Sequence, residues 1–461
     1  MSAPTGLQVH TIATPSLGDR SYVVTDGTYA VVIDPQRDID RVFDIIDTYK
    51  LTVTHVLETH IHNDYVTGGY TLANHLNAIY VLSADDEMFF TYHGVRDGDT
   101  ITSGELTITV MHTPGHTPTH LSYLITNGTE QAVFTGGSLL YGSVGRTDLI
   151  SRARAEELTR LQHASAKRLA TLADDTTIFP THGFGSFCSS AAADDTMTHT
   201  DPKYGVEIST IGEQKQQNIA LTTADTDELV ALIIGGLDAY PRYYVHMAPR
   251  NRIGPAPVNL APPLSVKPAE LARRIHDGEW VVDLRQRRVY AKDHITGTVN
   301  VEIGDSFTTY LAWIIPWGTP VTLIGDTEED VAEAQRQLVR VGIDRPVAKA
   351  TGGVTRYGNG LARDAYNVAT FANYVTAAAN DSDITLLDVR RHDERNVAAV
   401  ANSVHIPMHE LDRRITELPD NRPIWVHCAS GFRASIAASL IARLGREVVL
   451  IDDDDTNMPR V

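Results

Sequence analysis

The chain has 461 residues, 42% of them hydrophobic and 21% charged, with a net charge of −19 and two cysteines. That length holds about three domains of ordinary size, and the acidic balance disfavours nucleic acid or an anionic membrane as a partner. No run of about 20 apolar residues predicts a transmembrane helix. Met1-Ser2-Ala3-Pro4-Thr5 shows no basic stretch leading into an apolar core, and two isolated cysteines make no disulfide framework, so a reducing, cytoplasmic location is expected.

In chain order, the apolar run Val53 to Leu57 reads as a buried strand and is followed by Thr59-His60-Ile61-His62-Asn63-Asp64. Two histidines at i and i+2 on the turn leaving a strand can converge on one point, and neutral imidazoles are common ligands of borderline metals. A second strand, Leu106 to Met111, leads into Thr113-Pro114-Gly115-His116-Thr117. A third, Thr177 to Phe179, leads into Pro180-Thr181-His182-Gly183. The second and third turns contain Gly and Pro, and Gly68 follows the first, residues that permit sharp turns. His112 and His120 flank the His116 turn and read as residues satisfying backbone groups rather than as ligands.

On these three motifs, residues 1–253 resemble the metallo-β-lactamase superfamily, whose fold is an αββα sandwich with metals at strand-end loops. His60, His62 and His116 match the family's first metal position, and His182 is a candidate second-site or second-layer residue. Tyr65 stands where a second-site histidine would, which argues against a dinuclear zinc hydrolase. The run Glu58 to Tyr65 with Val66-Thr67-Gly68, then Gly145-Arg146-Thr147-Asp148-Leu149 and Thr181-His182-Gly183-Phe184-Gly185-Ser186, is similar to the persulfide dioxygenase branch and its bacterial fusions to rhodanese domains. That resemblance implies one Fe(II) per chain held by two histidines and an aspartate, the set suited to oxygen activation. It also implies that Arg146 helps hold the thiol substrate and that Tyr65 contacts a metal-bound oxygen or fills the vacated second-metal space. Asp148 orders its loop, and Cys188 reads as a buried structural thiol. One departure stands out. The family's Phe-Thr-Gly-Asp turn is Phe134-Thr135-Gly136-Gly137 here, so the expected aspartate ligand is a glycine. Three outcomes stay open: water, Ser138 or Asp64 completes an iron site; three neutral histidines hold Zn2+ for hydrolysis, with Asp64 orienting the attacking water; or the site is a remnant.

Gly254 to Pro263 is proline-rich, and residues 254–264 read as a semi-rigid linker. Beyond it a pattern repeats. Val281-Val282-Asp283-Leu284-Arg285 parallels Leu386-Leu387-Asp388-Val389-Arg390, and Pro320 to Ile324 parallels Pro423 to His427. After the second of these strands comes Cys428-Ala429-Ser430-Gly431-Phe432-Arg433, and then a helix over Ala434 to Leu440. A cysteine between a strand and a helix N-terminus sits under free backbone N–H groups and the positive end of the helix dipole, which favour a nucleophilic thiolate. Arg433 adds a positive charge. This loop resembles a rhodanese, which carries sulfane sulfur as a cysteine persulfide; Arg433 comes one residue too early for the phosphatase pattern CxxxxxR. Cys428 and Arg433 are the candidate catalytic residues, and Ser430 and Gly431 the candidate substrate contacts. In the first copy Gly325 holds the cysteine position, followed by Asp326-Thr327-Glu328-Glu329-Asp330. Residues 265–362 therefore read as an inactive rhodanese-like domain and 368–461 as an active one, both α/β with parallel sheets.

The expected activity is oxidation of a low-molecular-weight thiol persulfide with O2 to sulfite, coupled to sulfur transfer among persulfide, sulfite and thiosulfate through Cys428. A zinc hydrolase or thioesterase fused to a sulfurtransferase, or a sulfurtransferase with a non-catalytic metal-domain remnant, are the alternatives. Related metal domains often self-associate, which leaves a homo-oligomer open.

Overall fold

The computed structural model describes residues 6–183, 185–190, 198–381 and 383–459. Phe184 of the third histidine motif, the first five residues and the last two lie outside them. The chain forms two compact units, residues 1–258 with 339–342, and residues 259–338 with 343–461. No helix among the described residues is long and apolar enough to cross a membrane.

The first unit is an αββα sandwich. One sheet runs in chain order through Gln8–Thr14, Asp19–Thr25, Tyr29–Ile33, Thr52–Leu57, Ile79–Ser83 and His93–Val95. It is antiparallel at first and parallel from Tyr29–Ile33 onward. The other sheet has the order His199–Asp201, Val206–Thr210, Thr177–Pro180, Gln131–Gly136, Leu121–Thr126, Leu106–His112, Thr100–Ser103. Alternation along each strand builds the layers. Tyr22, Val24, Val31 and Ile33 face Ile108, Val110, Tyr123 and Phe134 between the sheets. Val23 and Val32 point the other way, onto Val42 and Ile46 of the helix Asp40–Tyr49. On the far side Val133 and Ile178 pack under Ala166 and Leu169 of the helix Ala155–Leu169. Thr52–Leu57, Gln131–Gly136 and Thr177–Pro180 all end at the same edge of the sandwich, so the loops leaving them meet.

The second unit contains two five-stranded sheets that are parallel throughout. The first has the order Leu264–Ser265, Ala348–Ala350, Val321–Ile324, Trp280–Asp283, Val299–Asn300. The second has Asn367–Ala369, Val448–Ile451, Ile424–His427, Thr385–Asp388, Val404–His405. The strand order is the same in both. A buried ion pair repeats as well: Arg285 Nη2 lies 2.7 Å from Asp283 Oδ2, and Arg390 Nη2 lies 2.8 Å from Asp388 Oδ2. One apolar core spans both copies, with Leu284, Val299, Phe307, Leu311 and Leu323 from the first and Leu387, Ile406, Val426, Ile436 and Leu450 from the second.

Candidate functional site

The three predicted histidine turns converge. His60, His116 and His182 each offer a ring nitrogen within 4.8 Å of the others, and His62, Asp64 and His182 form a second such group. All five residues are buried. Their hydrogen bonds fix which nitrogen carries the proton. The Thr59 hydroxyl donates to Asp34 Oδ2 at 2.7 Å and contacts His60 Nδ1 at 2.9 Å. Having spent its proton on Asp34, it accepts from His60 Nδ1–H, which leaves the His60 lone pair on Nε2. His116 Nδ1 donates to the Arg146 carbonyl at 2.8 Å, and its Nε2 has no hydrogen-bond partner. His182 Nδ1 donates to Asp19 Oδ1 at 2.9 Å, and its Nε2 faces His60 Nε2 at 3.2 Å. A proton shared between these two nitrogens satisfies them, and a metal ion can take its place; the His116 Nε2 beside them has no hydrogen bond, and the three rings present their nitrogens to one another. The residues present therefore fit a metal ion.

His62 is oriented differently. Its Nε2 faces Asp34 Oδ1 at 3.3 Å and Glu58 Oε2 at 3.2 Å, and Tyr65 Oη at 2.9 Å. Its Nδ1 is buried without a hydrogen bond, and so are the Asp64 oxygens, of which Oδ2 lies 3.3 Å from His182 Nδ1. The sequence expectation was a His60, His62, His116 set. The structure instead groups His60 and His116 with His182, and His62 with Asp64 and His182. Burial opposes charge on His62, but Asp34 and Glu58 outweigh it and bring it up to about 9. Burial among other imidazoles brings His116 down to about 3. Asp64 is held below the usual carboxylate range, since facing His182 outweighs the cost of burial; burial and the Asp64 charge push neighbouring Asp19 up.

Asp34, Glu58 and Asp19 are absent from the sequence prediction. Asp34 accepts from Thr59 N at 2.7 Å and from the Thr181 hydroxyl, tying the first and third histidine turns together. Its φ of 49° lies in the left-handed region. The available signal was an acid at the end of the apolar strand Tyr29–Ile33, directly before Pro35.

Gly137 has a steric explanation. A Cβ there would lie 2.3 Å from His116 Cδ2, so the His116 ring occupies the space an aspartate side chain would need. The Gly137 N–H donates to His120 Nε2 at 2.9 Å, which engages the His120 lone pair and keeps it from acting as a ligand. Ser138 Oγ is buried without a partner. Arg146 is fully engaged, with Asp148 at 2.7 and 2.9 Å, the Asp238 carbonyl at 2.7 Å and the Phe187 carbonyl at 3.2 Å. Tyr65 is buried and stacks on His62, ring centroids 4.2 Å apart. Cys188 is buried, its Sγ 3.9 Å from Tyr244 Oη, and burial pushes its thiol up.

In the second unit Cys428 follows the strand Ile424–His427, and the helix Phe432–Ala442 begins just beyond it. The Ala434 N–H points at Cys428 Sγ from 3.4 Å. Gly431 caps the helix with φ 84°, and a Cβ there would lie 2.0 Å from Asp452 Oδ1, so only glycine fits. Arg433 makes a two-pronged contact with Glu394, both bonds 2.5 Å. The ring of Tyr310, from the cysteine-less copy, lies 5.7 Å from that of Phe432. At Gly325 a Cβ would meet its nearest neighbours at 3.6 Å, ordinary contact.

Comparison with known proteins agrees with this geometry. The family model described as metallo-beta-lactamase superfamily matches residues 20–182, and the rhodanese-like domain model matches 267–359 and 371–454. A hydroxyacylglutathione hydrolase of Tolumonas auensis is 32% identical over 47% of this chain and 86% of its own. One from Francisella philomiragia is also 32% identical, over 37% of this chain and 64% of its own. The crystal structure of a metallo-beta-lactamase from Staphylococcus aureus is similar over 75% of this chain and 99% of that one, with 26% identity and a TM-score of 0.65.

Proposed function

The chain belongs to the metallo-β-lactamase superfamily and carries rhodanese-like domains in its C-terminal half; from that premise we propose that it is a sulfur-metabolism enzyme with two chemistries. One is oxidation of a low-molecular-weight persulfide to sulfite at the histidine pocket. The other is sulfane-sulfur transfer through Cys428. The carrying observation is the buried grouping of His62 and His182 with the Asp64 carboxylate, beside a His116 Nε2 that has no hydrogen bond. His62, Asp64 and His182 form a two-histidine, one-carboxylate set, the donor chemistry that suits Fe(II). Asp64 supplies the negative charge that Gly137 cannot.

When bound, Fe(II) supplies the activation of O2. The balanced reaction is RSSH + O2 + H2O giving RSH, sulfite and two protons. The chain's own groups hold the ligand rings rigidly, and the burial of all five candidate ligands keeps bulk water out. Asp34 and Glu58 fix His62 from its Nε2 side. Tyr65 holds the same nitrogen at 2.9 Å. In the second unit the Cys428 thiolate attacks the outer sulfur of thiosulfate and releases sulfite. The resulting Cys428 persulfide passes its terminal sulfur to an acceptor and regenerates the thiolate.

A second reading has specific support. His60, His116 and His182 are a three-imidazole set of the kind that holds catalytic zinc, and two relatives bear the name hydroxyacylglutathione hydrolase. Metal analysis of protein purified without added metal, with oxygen uptake on glutathione persulfide, separates the two. Near-stoichiometric iron and rapid uptake support the first reading. Zinc, no uptake after anaerobic Fe(II) loading, and hydrolysis of S-lactoylglutathione replace it with the second. Thiocyanate formation from thiosulfate and cyanide, abolished in Cys428→Ser, tests the transfer half on its own.

A further inference from the structure

We propose that the cysteine-less copy is a working part of the sulfur-transfer site, in which Arg287 and Arg288 neutralise Asp452 beneath the Cys428 loop and keep that loop receptive to anionic sulfur. The inference rests on the reading of Cys428 as the sulfur carrier. Asp452 is buried, and its carboxylate packs against Gly431, the residue that caps the helix following Cys428. A bare carboxylate there would compete with a thiolate, a persulfide or thiosulfate for the same positive helix end.

Both arginines that answer it come from the first copy. Arg287 Nε donates to Asp452 Oδ1 at 2.7 Å, and Arg288 Nε donates to Oδ2. Arg287 also reaches into the loop, its Nη2 donating to the Ser430 carbonyl at 3.3 Å, while Glu302 Oε2 holds its Nη1 at 2.9 Å. The other charges around the loop are already matched. Arg433 is paired with Glu394, Arg391 with Asp393, and the Asp455 carboxylate lies 3.9 Å from Arg390 Nη1. A second tie runs beside these. The Asn300 N–H donates to Ser439 Oγ on the same helix at 3.0 Å. With Gly325 where the second copy has Cys428, the first copy serves instead as a positioning element.

The transfer being assisted is balanced. Cys428–S⁻ attacks thiosulfate, the S–S bond breaks, sulfite leaves as the dianion, and Cys428–S–S⁻ remains; cyanide then takes the terminal sulfur as thiocyanate. The test is thiosulfate–cyanide kinetics on the full chain. Arg287→Gln is expected to lower kcat/KM for thiosulfate roughly tenfold, the size of one partly exposed charge at close range, with Arg287→Lys close to the parent. Adding Asp452→Asn to Arg287→Gln is expected to restore kcat/KM to within about threefold of the parent, because the charge needing neutralisation is gone. A merely structural Arg287 would show no such rescue. No effect of Arg287→Gln, or a loss that Asp452→Asn fails to restore, overturns the proposal. A parent chain with no Cys428-dependent thiocyanate formation overturns the carrier reading beneath it, which is a separate failure.

Discussion

Gly137 shows how a single residue carries more than the sequence reveals. In the sequence it marks a missing anion; in the structure it is the floor on which the His116 ring rests, a Cβ falling 2.3 Å from Cδ2. Gly137→Asp is therefore expected not to restore a ligand but to displace His116, at an overpacking cost of about 1–3 kcal/mol. A lower thermal midpoint with no gain in bound metal is the expected outcome; a gain in metal with the midpoint unchanged would show that the pocket has room. His427, beside Cys428, carries the clearest pH dependence. Burial brings it down from 6.5 to about 4, against a partly offsetting Asp388. The folded state thus prefers the neutral ring. Its contribution is fully present above pH 6.5 and is lost as pH falls through about 4. Across that window the second unit is expected to lose on the order of 3 kcal/mol. Urea titrations of the parent and His427→Gln at several pH values check this, and equal pH slopes would refute it. The candidate ligand histidines were legible because each follows a short apolar strand. Asp34, Glu58 and Asp19 were not, since their role lies in contacts between turns far apart in the chain.

At the scale of elements, the strands Thr52–Leu57, Leu106–His112 and Thr177–Pro180, and the helix Phe432–Ala442, follow from their apolar runs. Their pairing was not written in those runs. Gln131–Gly136 lies parallel to Thr177–Pro180 and carries the Gly137 turn up to the His182 turn, a neighbourhood set by sheet topology. The cysteine loop is the element most exposed to a small change. Gly431→Ala forces a left-handed conformation costing about 1–2 kcal/mol and drives a methyl into Asp452. It is expected to lower Cys428-dependent thiocyanate formation more than tenfold while far-ultraviolet circular dichroism stays as in the parent. Parental turnover would mean the loop tolerates a different cap.

For the whole molecule, the repeat in the second half was visible from Asp283/Arg285 and Asp388/Arg390, but the shared core was not. Apolar positions in a sequence do not say which layer they join, and here residues of both copies fill one interior. The two copies are therefore expected to unfold together. Leu311→Ala, in the cysteine-less copy, removes a fully buried side chain at about 2–5 kcal/mol. It should lower the temperature at which Cys428 becomes open to alkylation by as much as it lowers the melting of its own copy; an unchanged Cys428 profile would mean two independent folding units. The room left at Gly325 has a consequence of its own. A cysteine placed there meets only ordinary contacts at 3.6 Å, so Gly325→Cys would put two thiols at matching points of duplicate scaffolds, one followed by Asp326, Glu328, Glu329 and Asp330, the other by Arg433. The ratio of their alkylation rates, read peptide by peptide, isolates the influence of the loop charges with the scaffold cancelled out, and Cys428 should react faster by a factor on the order of ten.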